Sequence, residues 1–183
     1  MKQLVFDFFR ILGFGFKLLP LSLRKILLEI LRSFPGVIGV LLRFALLTSI
    51  SKKIGKKVVI FSNVVFKYPE NLSVGTNVSI HEFSYIDSYI PVSIGDNVAI
   101  SHKVSIIPFD HNFSLHSGTI KDSGPIGSPI KIDSDCWLGA GSILLRGAEC
   151  SSRTVLASGS ILRERTRPNS LYAGIPAKFK KNI

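Results

Sequence analysis

Residues 92–106 read VSIGDNVAISHKVSI, and their period decides the fold. Ile94, Ile100 and Ile106 stand six apart, and Val98 and Val104 follow the first two of them by four. Six is neither the 3.6 of an amphipathic helix nor the 2 of an ordinary strand. It is the period of a parallel β-helix, in which each unit supplies one short strand and its corner, and three units close one triangular coil.

The same period extends in both directions. Before the quoted stretch it runs through Ile54, Ile60 and Phe66 and through Val74, Ile80 and Ile86; after it come Ile132, Leu138 and Leu144 and then Cys150, Leu156 and Leu162. Val58, Val78, Cys136 and Ala148 repeat the second apolar position. Three spacings break the period: Phe66 to Val74 and Ile86 to Ile94 are eight, and Ile106 to Ile132 is twenty-six. All three fall at one corner of the triangle. A coiled prism accepts added length at a corner, where a loop leaves without interrupting the strand ladder. Residues 107–131 are therefore expected to form a long loop on a rigid edge, where chemistry is to be sought.

Residues 1–50 have a different period. Leu4, Phe8 and Ile11, then Leu23, Ile26, Leu27, Ile30 and Leu31, recur at helical spacings with basic residues between them. Pro20 and the turn Phe34-Pro35-Gly36 divide the region into two or three short helices. Such helices either lie in a lipid headgroup layer or pack on their own domain or a neighbouring subunit. The reading is thus a helical region, 1–50, followed by a mainly β domain, 51–183.

With 183 residues and 46% hydrophobic content the chain is about one domain with an ample core. Lys and Arg outnumber Asp and Glu by 23 to 12, which suits a phosphate-rich cofactor, an anionic membrane or nucleic acid. No nucleic-acid reading module accompanies the charge, so a nucleic-acid partner is not expected. The two cysteines, Cys136 and Cys150, form no Cys-x-x-Cys pair, which argues against a disulfide framework or zinc ribbon and for a reducing compartment. Lys2, Arg10, Lys17, Arg24, Lys25, Arg32 and Arg43 interrupt the apolar N-terminal region, so no run approaches the ~18 residues of a spanning helix and no cleavable signal stands out.

Four stretches in order resemble the hexapeptide-repeat acyltransferases, in particular O-acetyltransferases of the galactoside, maltose and capsule or lipopolysaccharide kind. They are residues 92–98, the His111 loop, Asp135-Cys136-Trp137-Leu138-Gly139-Ala140-Gly141, and Ala173-Gly174-Ile175-Pro176-Ala177-Lys178. The resemblance implies a left-handed parallel β-helix, a homotrimer, and acetyl-CoA as co-substrate in the groove between subunits, with no metal. It implies a cytoplasmic enzyme acetylating a sugar hydroxyl, with a surface polysaccharide or its lipid-linked precursor as acceptor.

An alcohol is a poor nucleophile at neutral pH, so transfer to it needs a base, and imidazole titrates closest to that pH. His111 stands where the family carries its catalytic histidine. His81 and Glu82 are expected on the middle strand of an earlier coil as acceptor-site or orienting groups, in place of the asparagine of the galactoside enzymes. Asp87 and Asp110 are alternative partners for an imidazole N–H. Trp137 precedes a core position, so its indole should point outward, beside the CoA arm according to the resemblance. Ala140, Gly141, Ser158 and Gly159 fall one coil apart, where small side chains let backbone amides approach the thioester and steady a developing oxyanion. Arg163, Lys178 and Lys181 offer cations for the CoA phosphates, with Lys178 matching the family position best.

Three other readings compete. A γ-type carbonic anhydrase would use the same fold and gather zinc on His81, His111 and His116, but the last two lie off the regular rungs, and Trp137 and the Ala-Gly-Ile-Pro-Ala segment go unexplained. An amino-sugar N-acetyltransferase and an inactive membrane scaffold are the others. His102 and His116 read as surface or loop residues, and both thiols as small core hydrophobes.

Overall fold

The computed structural model describes residues 2–114 and 118–183. Three helices, α1 (Lys2–Phe16), α2 (Leu21–Ile30) and α3 (Gly36–Ile50), precede a left-handed parallel β-helix of about six turns. Its first coil is β1 (Lys53–Ile54), β2 (Val59–Ile60) and β3 (Val65–Lys67), and its second β4 (Leu72–Val74), β5 (Ser79–Ile80) and β6 (Tyr85–Asp87). The third is β7 (Val92–Ile94), β8 (Ala99–Ile100) and β9 (Ser105–Ile107). A hairpin of β10 (Phe109–His111) and β11 (Pro125–Gly127) then leaves the prism. The fourth coil is β12 (Ile130–Ile132), β13 (Trp137–Leu138) and β14 (Ile143–Leu145), and the fifth β15 (Glu149–Cys150), β16 (Thr154–Leu156) and β17 (Ile161–Leu162). β18 (Ser170–Ala173) begins a sixth turn, and β19 (Lys178–Asn182) folds back antiparallel on it.

The ladders carry the expected register. On the first face Ile54, Val74, Ile94, Ile132 and Cys150 are successive partners. On the second they are Ile60, Ile80, Ile100, Leu138, Leu156 and Tyr172. The third face aligns Phe66, Ile86, Ile106, Leu144 and Leu162. All but Phe66 are buried, and each such aliphatic side chain contributes on the order of 2 kcal/mol by leaving water.

Corners set how closely the coils stack. Gly55, Gly75 and Gly95 occupy one corner in three successive coils, and a Cβ on Gly75 would lie 2.6 Å from the backbone of Gly95. Asn77 and Asn97 turn the next residues in the left-handed region, at φ 59° and 57°, and Asn77 Nδ2 donates to Asn97 Oδ1 at 2.8 Å. Asparagine tolerates that conformation better than most residues.

The helices share one continuous core with the prism, through Phe44, Leu46, Leu47 and Ile50 beside Ile54 and Ile60. α3 is buried from Arg43 to Ile50. α1 lies against it, with Phe6 edge-on to Phe44 at 5.3 Å and Gly13 so close that a Cβ would meet the Ala45 carbonyl at 2.6 Å. Arg43, met in the sequence as an interruption of an apolar run, is fully buried and works as a staple. Its Nε donates to Ile60 O at 3.0 Å, and its Nη1 to the carbonyls of Leu31, Arg32 and Phe34, where the α2 segment ends. Burial pulls its guanidinium below the usual value. Among the described residues no helix is long and apolar enough to cross a membrane.

Candidate functional site

The extra length lies where the spacing puts it, at the edge between the third and first faces, and its two ends form a hairpin. β10 and β11 pair as Phe109 with Gly127, Asp110 with Ile126 and His111 with Pro125. The root is closed by Ser128 N–H donating to Pro108 O at 3.0 Å. The Phe109 ring meets Tyr89 edge-on at 5.5 Å, and Tyr89 meets Tyr68 at 5.1 Å, so aromatic side chains from three successive insertions stack along this edge. Gly127 is needed for the close approach, because a Cβ there would lie 2.2 Å from Ile90 Cδ1.

The fourth coil grips the hairpin from the other side. Arg146 Nε sits 2.8 Å from Asp110 Oδ2, and Gly147 N–H donates to Ser128 O at 3.3 Å. His111 ends β10, exposed, and its imidazole has no partner among the described residues. Asp110, a candidate imidazole partner, is instead paired with Arg146. Asp87, the other, is buried and engaged locally: it accepts from Tyr85 O–H at 3.2 Å and from Tyr89 N–H at 2.8 Å. The Asp87 charge and burial together push the Tyr85 phenol up, with burial the larger cause.

A second group of candidates lies at a different edge, between the second and third faces. His81 and Glu82 stand just beyond β5 and not on a strand, because β5 is only two residues long and ends at Ile80. The His81 ring stacks on Phe61 at 4.4 Å, and its Nδ1 is 3.7 Å from Glu82 Oε2. Ala140 and Gly141 occupy the same edge two coils on, and Ser158 and Gly159 one coil further. The amides of Gly141 and Gly159 are spent on coil stacking, donating to His102 O at 3.0 Å and Ala140 O at 2.9 Å. Those of Ala140 and Ser158 have no such bond among the described residues, so of the four small residues these two can offer an N–H to a ligand.

Trp137 projects outward as expected, 52% exposed, with Nε1 donating to Ser101 Oγ at 3.0 Å. Its neighbours on the ladder, Ala99 and Val155, are small, and the indole lines a shallow cavity of about 350 Å³ with Asn97, Arg153 and Ile183. A larger cavity of about 410 Å³ lies between α2 and Tyr68-Pro69 of the first coil.

Arg163, Lys178 and Lys181 are exposed near the end of the prism, with Lys178 Nζ 2.9 Å from Glu164 Oε1. An exposed pair of this kind exchanges readily for another anion. Both cysteines are buried, and burial pushes each thiol up, Cys150 well above its ordinary value. Among the described residues no three His, Cys, Asp or Glu are placed to hold a metal, and His116 of the alternative zinc set lies outside them. Two contacts of the candidate residues carry no signal in the sequence: that of Arg146 with Asp110, and that of Ser101, whose hydroxyl accepts from the Trp137 indole.

No family model matches the chain. A probable acetyltransferase of Mycobacterium tuberculosis is 32% identical over 120 residues, covering 66% of this chain and 40% of that protein. The galactoside O-acetyltransferase of Escherichia coli is 27% identical over 77% of this chain and 68% of its own length. The crystal structure of a maltose O-acetyltransferase from Clostridium difficile superposes with a TM-score of 0.75 at 25% identity, covering 88% of this chain and 85% of that one. The chain is similar in sequence to these acetyltransferases and has the left-handed β-helical fold of the solved ones. It spans less than half of the mycobacterial protein and about two thirds of the galactoside enzyme.

Proposed function

We propose that this relative of the hexapeptide-repeat acetyltransferases is an acetyl-CoA-dependent O-acetyltransferase. Its acceptor is a sugar hydroxyl, of a surface polysaccharide or its lipid-linked precursor, and it works in the cytoplasm as a homotrimer. One observation carries the reading. His111 is rooted at the edge between the third and first faces, while Trp137 lies on the second face and the amides of Ala140 and Ser158 at that face's edge with the third. One chain therefore offers two half-sites, and a ring of chains setting the hairpin of one beside the Trp137 face of the next makes a whole one. The names of the galactoside and maltose relatives support a sugar hydroxyl over other acceptors.

In that cleft the indole of Trp137 borders the pantetheine arm, and Arg163, Lys178 and Lys181 meet the CoA phosphates. His111 takes the proton of the acceptor hydroxyl as its oxygen bonds to the thioester carbonyl carbon. The carbonyl oxygen gains charge and is met by the Ala140 or Ser158 N–H. The carbon–sulfur bond then breaks, and the imidazolium returns its proton to the leaving thiolate. Transfer is direct: both thiols are buried and held protonated, so neither serves as an acyl carrier. His81 and Glu82, at the edge of the Ala140 and Ser158 amides, are left to orient the acceptor.

The test is a calorimetric titration of the whole protein with acetyl-CoA, followed by thiol release with neutral sugars and amino sugars as acceptors. Saturable binding with release dependent on a neutral sugar is expected. Absence of acetyl-CoA binding by folded protein would overturn the reading, and release with amino sugars alone would replace its acceptor.

A further inference from the structure

Charge and exposed apolar surface are concentrated at the same end of this molecule. Residues 1–67, the helices and the first coil, hold twelve Lys and Arg against Asp7 and Glu29; residues 68–183 hold eleven against ten acids. Nearly all of the +11 formal charge therefore belongs to the helical end. Lys52, Lys53, Lys56 and Lys57 are all exposed on the first coil.

α1 is apolar on both sides. Phe6, Phe9 and Phe16 pack toward the core, and Gly13 is pressed on α3. The opposite side presents Phe8 at 62% and Ile11 at 68% exposure, with Leu18 at 90% just past the helix end. α3 is buried between α1 and the first coil, so α1 is the outermost layer and its Phe8–Ile11 side faces away from the prism. α2 adds exposed Ile26 and Ile30. Arg10 and Lys17, one heptad apart, flank the α1 stripe. Single exposed apolar residues are normal on a soluble protein, but faces of them on two helices mark an interaction surface.

We propose that this end docks on an anionic lipid bilayer, with the outward sides of α1 and α2 in the acyl boundary and Arg10, Lys17 and the first-coil lysines at the lipid phosphates. A nucleic-acid backbone would use the charge and leave Phe8 and Ile11 in water. A second copy would bring two strongly positive ends together. The inference is independent of the acyl-transfer reading.

Full-length protein is mixed with vesicles of phosphatidylcholine, or of phosphatidylcholine with one quarter phosphatidylglycerol, and sedimented; subunit number is measured separately by light scattering. Binding to the anionic vesicles, weakened by salt, is expected. Phe8→Ser with Ile11→Ser, both at exposed positions, should lower it at least about tenfold without changing the subunit number. Failure of the wild type to bind anionic vesicles would overturn the proposal, and so would a double variant that binds them as well as wild type. A changed subunit number with unchanged vesicle binding would likewise overturn it and assign the face to a second copy of the chain.

Discussion

Arg146 and Asp110 meet across the edge between the third and first faces, Nε to Oδ2 at 2.8 Å, tying the residue before His111 to the fourth coil. The contact is an ion pair and not an aligned hydrogen bond, since the same carboxylate oxygen is buried with no hydrogen bond of its own. With Gly147 holding Ser128, it fixes both arms of the hairpin to one corner. Removing Arg146 should therefore act on geometry more than on stability. Arg146→Ala is expected to lower kcat about tenfold or more, because small misplacements of a reacting group are costly, while acetyl-CoA affinity stays unchanged and Arg146→Lys recovers part of the loss. Steady-state kinetics with calorimetry checks this. Equal losses in kcat and cofactor affinity would instead indicate general damage to the fold.

Arg43 should be the most sensitive charged residue for stability. Arg43→Ala strips partners from the carbonyls of Ile60, Leu31, Arg32 and Phe34 and leaves a cavity under the helices. A loss of about 3 kcal/mol is expected in urea unfolding, whereas the exposed Lys121→Ala should fall within about 0.5 kcal/mol of wild type.

Two glycine substitutions should move stability in opposite directions. Gly75→Ala drives a Cβ into the backbone of Gly95 and is expected to cost about 1–3 kcal/mol. Gly15→Ala lies in α1 with nothing within 4 Å of the added carbon and should gain about 0.5–1 kcal/mol from helix propensity alone. Thermal unfolding of the two variants decides it.

The buried thiols predict a pH dependence. Burial first, then the nearby Cys136 and Asp133, raises Cys150 well above its ordinary range. In the unfolded chain the thiol ionises near pH 8.5, while the folded chain keeps its proton. The contribution is complete below that pH and is lost as pH rises, since the unfolded state then binds fewer protons. Unfolding midpoints should fall between about pH 9 and pH 10, and less steeply in Cys150→Ala.

Much of the β-helix was readable because its signal is periodic. Every predicted core rung, from Ile54 to Leu162, pairs in the expected register, and all three insertions share one edge, since a six-residue repeat leaves a single phase in which aliphatic residues stay inside. Trp137 and the two cysteines followed from that phase. The helices were harder for the converse reason. α1 carries apolar residues on two sides, so periodicity could not say that Leu4, Phe8 and Ile11 would be its outward side and Phe6, Phe9 and Phe16 its inward one. Arg43 read as a break in an apolar run because one sequence position does not reveal four carbonyls gathering around it. At the candidate site the types of residue were legible, but their partners were not. Asp110 and Asp87 were equivalent on paper, and only the fold gives one to Arg146 and the other to Tyr85 and Tyr89. Likewise, stacking between coils decides which amides of the Ala140 and Ser158 corners remain available.

The central claim is that His111 activates the acceptor hydroxyl. Its most direct test is thiol release from acetyl-CoA by His111→Ala and wild type, both first shown by calorimetry to bind acetyl-CoA equally. The account predicts a loss of turnover of about 100-fold or more at full occupancy, in the range expected for removal of a general base. Turnover by the variant at the wild-type rate would contradict it and would place the base elsewhere in the cleft.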